Sequence, residues 1–197
     1  MPTGLLILNQ NMTNKEAFDI FYNTLLQSIA KIDKRFYKLK LAYFNQTMYR
    51  ENVYCYELYY QLRTMLGEDF PYILAGEVDK ASHPDIVERC LEFKTSFLVH
   101  QPGIHSADSF LAIMQVLSVQ TAFRYPETLI DYINKMKCAI GLQGGYYSGI
   151  ILIYGDEHAE IDKGIFDIYK NYARDMYESI ILLYHNSPGD KPVKINV

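Results

Sequence analysis

The chain contains no tryptophan and only three cysteines, Cys55, Cys90 and Cys138, none of them in a CxxC pair. That pattern excludes a compact zinc knuckle or a dithiol redox motif and reads most simply as small core thiols in a reducing setting. Basic charge is not in excess either: 19 Lys and Arg stand against 23 Asp and Glu, giving a formal charge of −4. Proteins that grip nucleic acid through its phosphates usually carry a basic face, and the average charge does not favour one here. No apolar run approaches the roughly 20 residues of a membrane span. The start, MPTGLLILNQ, has no basic region ahead of its short apolar run at 5–8, so no signal peptide is expected. Internal repeats, low-complexity tracts and linkers are also lacking. The expectation is one domain, 1–197, located in the cytoplasm and not in a membrane.

Tyrosine, by contrast, is abundant, with 18 copies in 197 residues. Each ring carries apolar area and a hydroxyl, so many should sit at the boundary between core and water. Hydrophobic residues make up 49% and charged residues 21%, a globular balance.

Local patterns give an order of elements. Thr13-Asn-Lys-Glu16 has the form of a capping box, and apolar residues at helical spacing after it predict a helix over 14–32. Tyr37, Leu39, Leu41 and Tyr43 alternate with Lys38, Lys40 and Ala42, the period of a strand with one wet face. The segment 31–40 carries Lys31, Lys34, Arg35, Lys38 and Lys40 against one Asp. It reads as a solvated helix end and a guarded edge strand, the alternative being a patch that contacts phosphates. A second helix is expected over 48–66, ended by Gly67. Val53, Tyr56, Glu57, Tyr60 and Thr64 line one stripe of it, with Glu57 in the middle of an aromatic face.

Strands follow at 72–78, 96–100 and 110–119, the last two joined by a polar turn containing Pro102 and Gly103. Pro126 opens a helix reaching about residue 138. The run 148–155 reads as a buried strand, 163–178 as a helix and 180–185 as a strand, with 186–197 left as a loose tail.

Several runs in this order carry a resemblance. RENVYCYELYYQLR (50–63), FLVHQPG (97–103), AIMQVLS (112–118), ETLIDYINKM (127–136) and YYSGIILIYG (146–155) together resemble the core of the PD-(D/E)XK nucleases, in a largely uncharacterised bacterial branch. The resemblance implies an α/β, restriction-endonuclease-like core with a mixed central sheet flanked by helices. That core would span 48–185, preceded by an N-terminal helix and strand extension over 1–47. In the family an Asp and a Glu hold Mg²⁺ through oxygen atoms, and a Lys positions the attacking water. On the resemblance the Pro-Asp pair falls on Thr95 and Ser96, the Glu on Gln115 and the Lys on Leu117. Of the expected set only Glu57 keeps its chemistry. The resemblance therefore implies a catalytically silent relative with no cofactor and no metal, acting as a binding or regulatory domain. In that role its cleft would hold a protein, a nucleic acid or a small ligand; a further reading, from the abundance of tyrosine, is an oligomerising protein whose Tyr-rich faces are buried between copies of the chain.

The alternative is an active Mg²⁺-dependent nuclease with relocated ligands, drawn from Glu57, Glu77, Asp79 and Asp108, with Lys80 near them and Lys135 or Lys137 replacing the lost Lys. Glu92-Phe93-Lys94 spells the Glu-x-Lys motif but precedes the strand that bears Ser96. Other constellations read as ordinary surface or turn residues. These are His100 and His105 with Cys90, Asp156-Glu157-His158 after a strand, and the Gly141, Gly144 and Gly145 loop. That loop lacks the Lys-Ser/Thr of a phosphate loop. No Gly-x-Ser-x-Gly elbow is present, and Cys55 has no local His to activate it.

Overall fold

A computed structural model of the chain describes residues 12–42, 47–76, 94–103, 109–141, 145–156, 159–176 and 178–196. Helix α1 (Asn14–Ile29) opens as its capping box requires: the Thr13 hydroxyl accepts from the Glu16 N–H, and the Thr13 N–H donates to the Glu16 carboxylate at 2.9 Å. The strand expected over 37–43 is not formed as such. Asp33 caps a four-residue helix, α2 (Lys34–Tyr37), by accepting the Arg35 N–H at 2.8 Å. That consumes the first residues of the alternating pattern. Only Leu39–Lys40 (β1) remains as strand, paired with Thr47–Met48 (β2).

Helix α3 (Glu51–Leu66) ends at Gly67, whose φ of 70° is left-handed and suits glycine. Its buried face differs from the expected stripe. Tyr54, Leu58 and Leu62, spaced by four, face the core, while Tyr56 and Tyr60 are 65% and 62% exposed. Tyrosines occur on both sides of this helix, so aromatic periodicity alone could not identify the inner one.

The main sheet has six strands in the order β3-β4-β5-β6-β7-β8. They are β3 (Ile73–Gly76), β4 (Phe97–His100), β5 (Phe110–Ser118), β6 (Ser148–Tyr154), β7 (Ile180–His185) and β8 (Val193–Ile195). The first three form an antiparallel meander, whereas β5, β6 and β7 are mutually parallel. Every residue of β5, β6 and β7 is buried. Successive strand side chains point to opposite faces, so both faces of this part of the sheet are covered. The parallel crossovers run through α4 (Val119–Arg124) with α5 (Pro126–Gly141), and through α6 (Ala159–Ala173). The three helices α4, α5 and α6 pack on one another, and α1 and α2 pack on α3. Helix α4 was not expected; Ser118 caps it by accepting the Thr121 N–H.

The tail is ordered where a loose end was expected. Strand β8 pairs antiparallel with β7, Leu183 opposite Lys194, and so covers a backbone edge that would otherwise stay open. Among the described residues no helix is long and apolar enough to cross a membrane.

Candidate functional site

The positions singled out by the resemblance fall at one place on the sheet. Phe97 lies opposite Met114, and one residue further the Ser96 hydroxyl accepts the Val116 N–H at 2.9 Å. Ser96 therefore sits beside Gln115 and Val116, as adjacent antiparallel strands require. Gln115 and Leu117, two apart on β5, share one face. Gln115 is 7% exposed and Leu117 is 1% exposed. The Gln115 amide makes only a long contact, 3.4 Å, to the Val116 carbonyl, and its Oε1 has no partner among the described residues. Thr95 is buried too, and its hydroxyl is likewise without a partner among the described residues.

This donor set does not suit Mg²⁺. A hard divalent cation needs several oxygen ligands, usually with carboxylate charge among them. Ser96 spends its oxygen on an N–H, Gln115 offers a single neutral oxygen, and Leu117 offers none. Among the described residues no three His, Cys, Asp or Glu side chains gather as metal ligands would.

Glu57 is not delivered to this place. It lies half-buried on the flank of α3, where it accepts from the Gln61 amide at 2.7 Å. Glu77, Lys80, Asp79 and Asp108 lie outside the described residues, as do Cys90, Glu92 and His105. Lys135 and Lys137 are engaged elsewhere, by Asp131 at 2.6 Å and Asp175 at 2.5 Å. His100 stacks near Phe110, and burial lowers its pKa. Cys55 is in no disulfide, but Cys138 is disulfide-bonded, so the reading of all three cysteines as reduced core thiols does not hold for Cys138.

The chemistry-bearing residues gather instead at the carboxyl ends of the three parallel strands, the edge at which open α/β sheets commonly hold ligands. At the end of β5, Glu51 from the first turn of α3 accepts the Ser118 N–H at 2.8 Å and the Thr121 hydroxyl at 2.6 Å. It is the carboxylate that α3 actually brings to the sheet. Its donors lie some 70 residues away in the chain, so no local pattern around Glu51 marks it.

At the ends of β6 and β7 the aromatic residues form a buried cage. Tyr54 and Tyr154 stack with centroids 3.9 Å apart, and Tyr37 and Tyr49 each meet Tyr154 edge-on at 5.6 Å. His185, fully buried, closes the cage. Its Nδ1 pairs with the Tyr54 hydroxyl at 2.8 Å, and its carbonyl accepts the Tyr37 hydroxyl at 2.8 Å. Burial pushes the His185 pKa down to about 4 and pushes those of Tyr37, Tyr54 and Tyr154 up, so all four are neutral in ordinary buffers. Gly155 makes the turn out of β6. Its φ of 149° suits glycine, and a methyl group there would come within 2.2 Å of Val119 Cγ1.

Beyond Gly155, Asp156 meets a cation. Lys38 Nζ approaches its carboxylate at 2.8 Å and lies 4.8 Å above the Tyr49 ring, while the Tyr49 hydroxyl contacts the same carboxylate oxygen. The partial burial of Asp156 works to raise its pKa, but the bonds from Lys38 and Tyr49 outweigh it, and the net shift is downward. A cavity of about 500 Å³ opens here, lined by Lys34, Arg35, Tyr37, Lys38, Lys40, Asp156 and Pro188. Comparisons of the chain with family models, with curated proteins and with solved structures find no match.

Proposed function

We propose that the chain is a non-catalytic binding domain on a PD-(D/E)XK nuclease-like scaffold. The observation that carries this reading is the side-by-side placement of Ser96 and Gln115 on adjacent strands, with Leu117 on the same face as Gln115. Where such a nuclease would hold two carboxylates and an ammonium, these residues supply a hydroxyl already in use, an amide and a buried methyl-bearing chain. Further support is the succession of α3, the β3-β4-β5 meander, α5 and the parallel strand β6, which is the order the resemblance implies. Fold-level likeness alone says little about activity, so the reading rests on the residues.

The test is a calorimetric titration with Mn²⁺ of the wild-type chain and of Ser96→Asp/Gln115→Glu, with Leu117→Lys added in a third protein. The expected result is no specific uptake by wild type and stoichiometric uptake by the double variant. A double variant that folds, by circular dichroism, and still takes up no metal counts against the scaffold assignment. Metal-dependent cleavage of DNA or RNA by the wild type, lost in Glu57→Gln, would replace this reading with an active nuclease using relocated ligands.

A further inference from the structure

The cavity at the ends of β6 and β7 departs from the charge of the chain around it. The whole sequence carries −4, yet the seven residues lining this cavity include Lys34, Arg35, Lys38 and Lys40 against the single carboxylate of Asp156. Cations held this close repel one another unless an anion lies among them, and concave walls strengthen the field by limiting access of water. Internal acids neutralise part of the set. Arg35 donates to Asp33 through Nε at 3.0 Å, and Lys38 pairs with Asp156 at 2.8 Å. Lys34 and Lys40 make no ion pair with any described residue, and both are exposed to the cavity mouth.

Part of the arrangement is held in place, while Lys34 and Lys40 remain exposed and available to a ligand. Lys38 is gripped by the Asp156 carboxylate and the Tyr49 ring. Asp33 caps the turn that carries Lys34 and Arg35, and Tyr37 beneath them is fixed by its bond to the His185 carbonyl. The fixed wall of Lys38, Arg35 and Tyr37 gives the cavity a set shape, so a ligand there has less to order than on a mobile surface. The volume, about 500 Å³, falls in the range of small-molecule sites and exceeds the need of a lone phosphate ion.

We propose that this cavity binds a small ligand bearing a diphosphate group, with Lys34 and Lys40 as its principal cationic contacts. The segment 31–40 is then a binding element and not only a solvated edge. The proposal does not depend on the nuclease-like reading, because none of Ser96, Gln115 and Leu117 lines the cavity.

The experiment is a calorimetric titration of the full chain, at fixed ionic strength, with inorganic pyrophosphate, ADP, orthophosphate and a short single-stranded oligonucleotide. Pyrophosphate and ADP are expected to bind one per chain, and orthophosphate much more weakly. Equal binding of the first two identifies the diphosphate alone as the recognised unit, while tighter binding of ADP shows that the nucleoside is read as well. Lys34→Gln/Lys40→Gln should weaken binding by about tenfold or more, because two charge-assisted contacts are lost, with the melting temperature of the free protein unchanged. Lys163→Gln/Lys170→Gln, which changes the net charge equally on exposed positions of α6, should leave binding intact. The proposal is overturned by no binding at millimolar pyrophosphate, by orthophosphate binding as tightly, by oligonucleotide binding without pyrophosphate binding, or by equal losses in the two double variants.

Discussion

Of the places on this sheet that hold polar side chains, two are built in opposite ways. Around Ser96 and Gln115 the site is closed and uncharged, and one amide oxygen lacks a partner among the described residues. Around Asp156 it is open and charged, and the carboxylate at its centre is met by a cation and a hydroxyl. The difference follows from strand position. Ser96 and Gln115 lie where β4 pairs with β5 and helices cover the faces, so a charge there would be desolvated without repayment. Asp156 lies two residues beyond the end of β6, where the chain leaves the sheet and water reaches the side chain. Charge sits where solvent or a fixed partner can stabilise it.

The strongest way to break the comparison is to remove the turn that carries Asp156. Gly155→Ala forces a methyl group against Val119 at a backbone conformation that alanine avoids, and should cost about 4 kcal/mol of stability by overpacking and strain together. Urea denaturation measures it directly, and a loss under about 1 kcal/mol would mean that the turn adapts.

Acid attacks the same end of the sheet through His185. Its folded pKa of about 4 lies below the unfolded value near 6.5, so in this interval the unfolded chain binds the proton and the folded chain does not. The stabilisation is complete above about pH 6.5, declines as pH falls and is gone below about 4, a change on the order of 3 kcal/mol. His185→Phe should flatten that part of the stability profile measured by denaturant midpoints. An unaltered profile in the variant would remove His185 as the cause.

Next in size is the contrast between the two acids of α3. Glu51→Ala deletes the acceptor of the Ser118 N–H and the Thr121 hydroxyl and should cost about 2 kcal/mol, whereas Glu57→Ala should cost less than about 0.5 kcal/mol. Equal costs, read from thermal melts of both variants, would contradict the assignment of Glu51 as the acid that joins α3 to the sheet.

The smallest expected effect sharpens the closed place itself. Gln115→Leu replaces an amide whose oxygen has no partner among the described residues with a side chain of similar bulk, and should raise stability by about 1 kcal/mol. A clear loss of stability in the same melts would show that the amide has a partner the static picture misses.

Much of this architecture was legible in the residues. The apolar runs at 110–119, 148–155 and 180–185 announced strands, and the unbroken run at 148–155 a buried one, because a parallel sheet covered on both faces tolerates little else. The capping box named the start of α1. What could not be read were choices decided by tertiary contact. Tyr54 and Tyr56 look alike in sequence, and only packing against Tyr154 of β6 and His185 of β7 selects which one is buried. The alternation at 37–43 was real, but Asp33 offered a helical cap that won locally. The tail looked loose because Val193, Lys194 and Ile195 form too short a run to signal a strand without the edge of β7 beside them. At the candidate site, the neutral character of Ser96, Gln115 and Leu117 was legible, while the roles of Glu51, His185 and the 31–40 cations depend on elements distant in sequence.

The stacked pair Tyr54 and Tyr154, with Tyr37 and Tyr49 set edge-on to it, has a spectroscopic consequence. No indole is present to drain excitation or mask the phenol bands. Rigid, asymmetric rings in close contact give a near-ultraviolet circular dichroism signal that vanishes once packing loosens. The cage next to the basic cavity is therefore a built-in optical reporter, sensitive to whatever settles beside Lys38 and needing no added label.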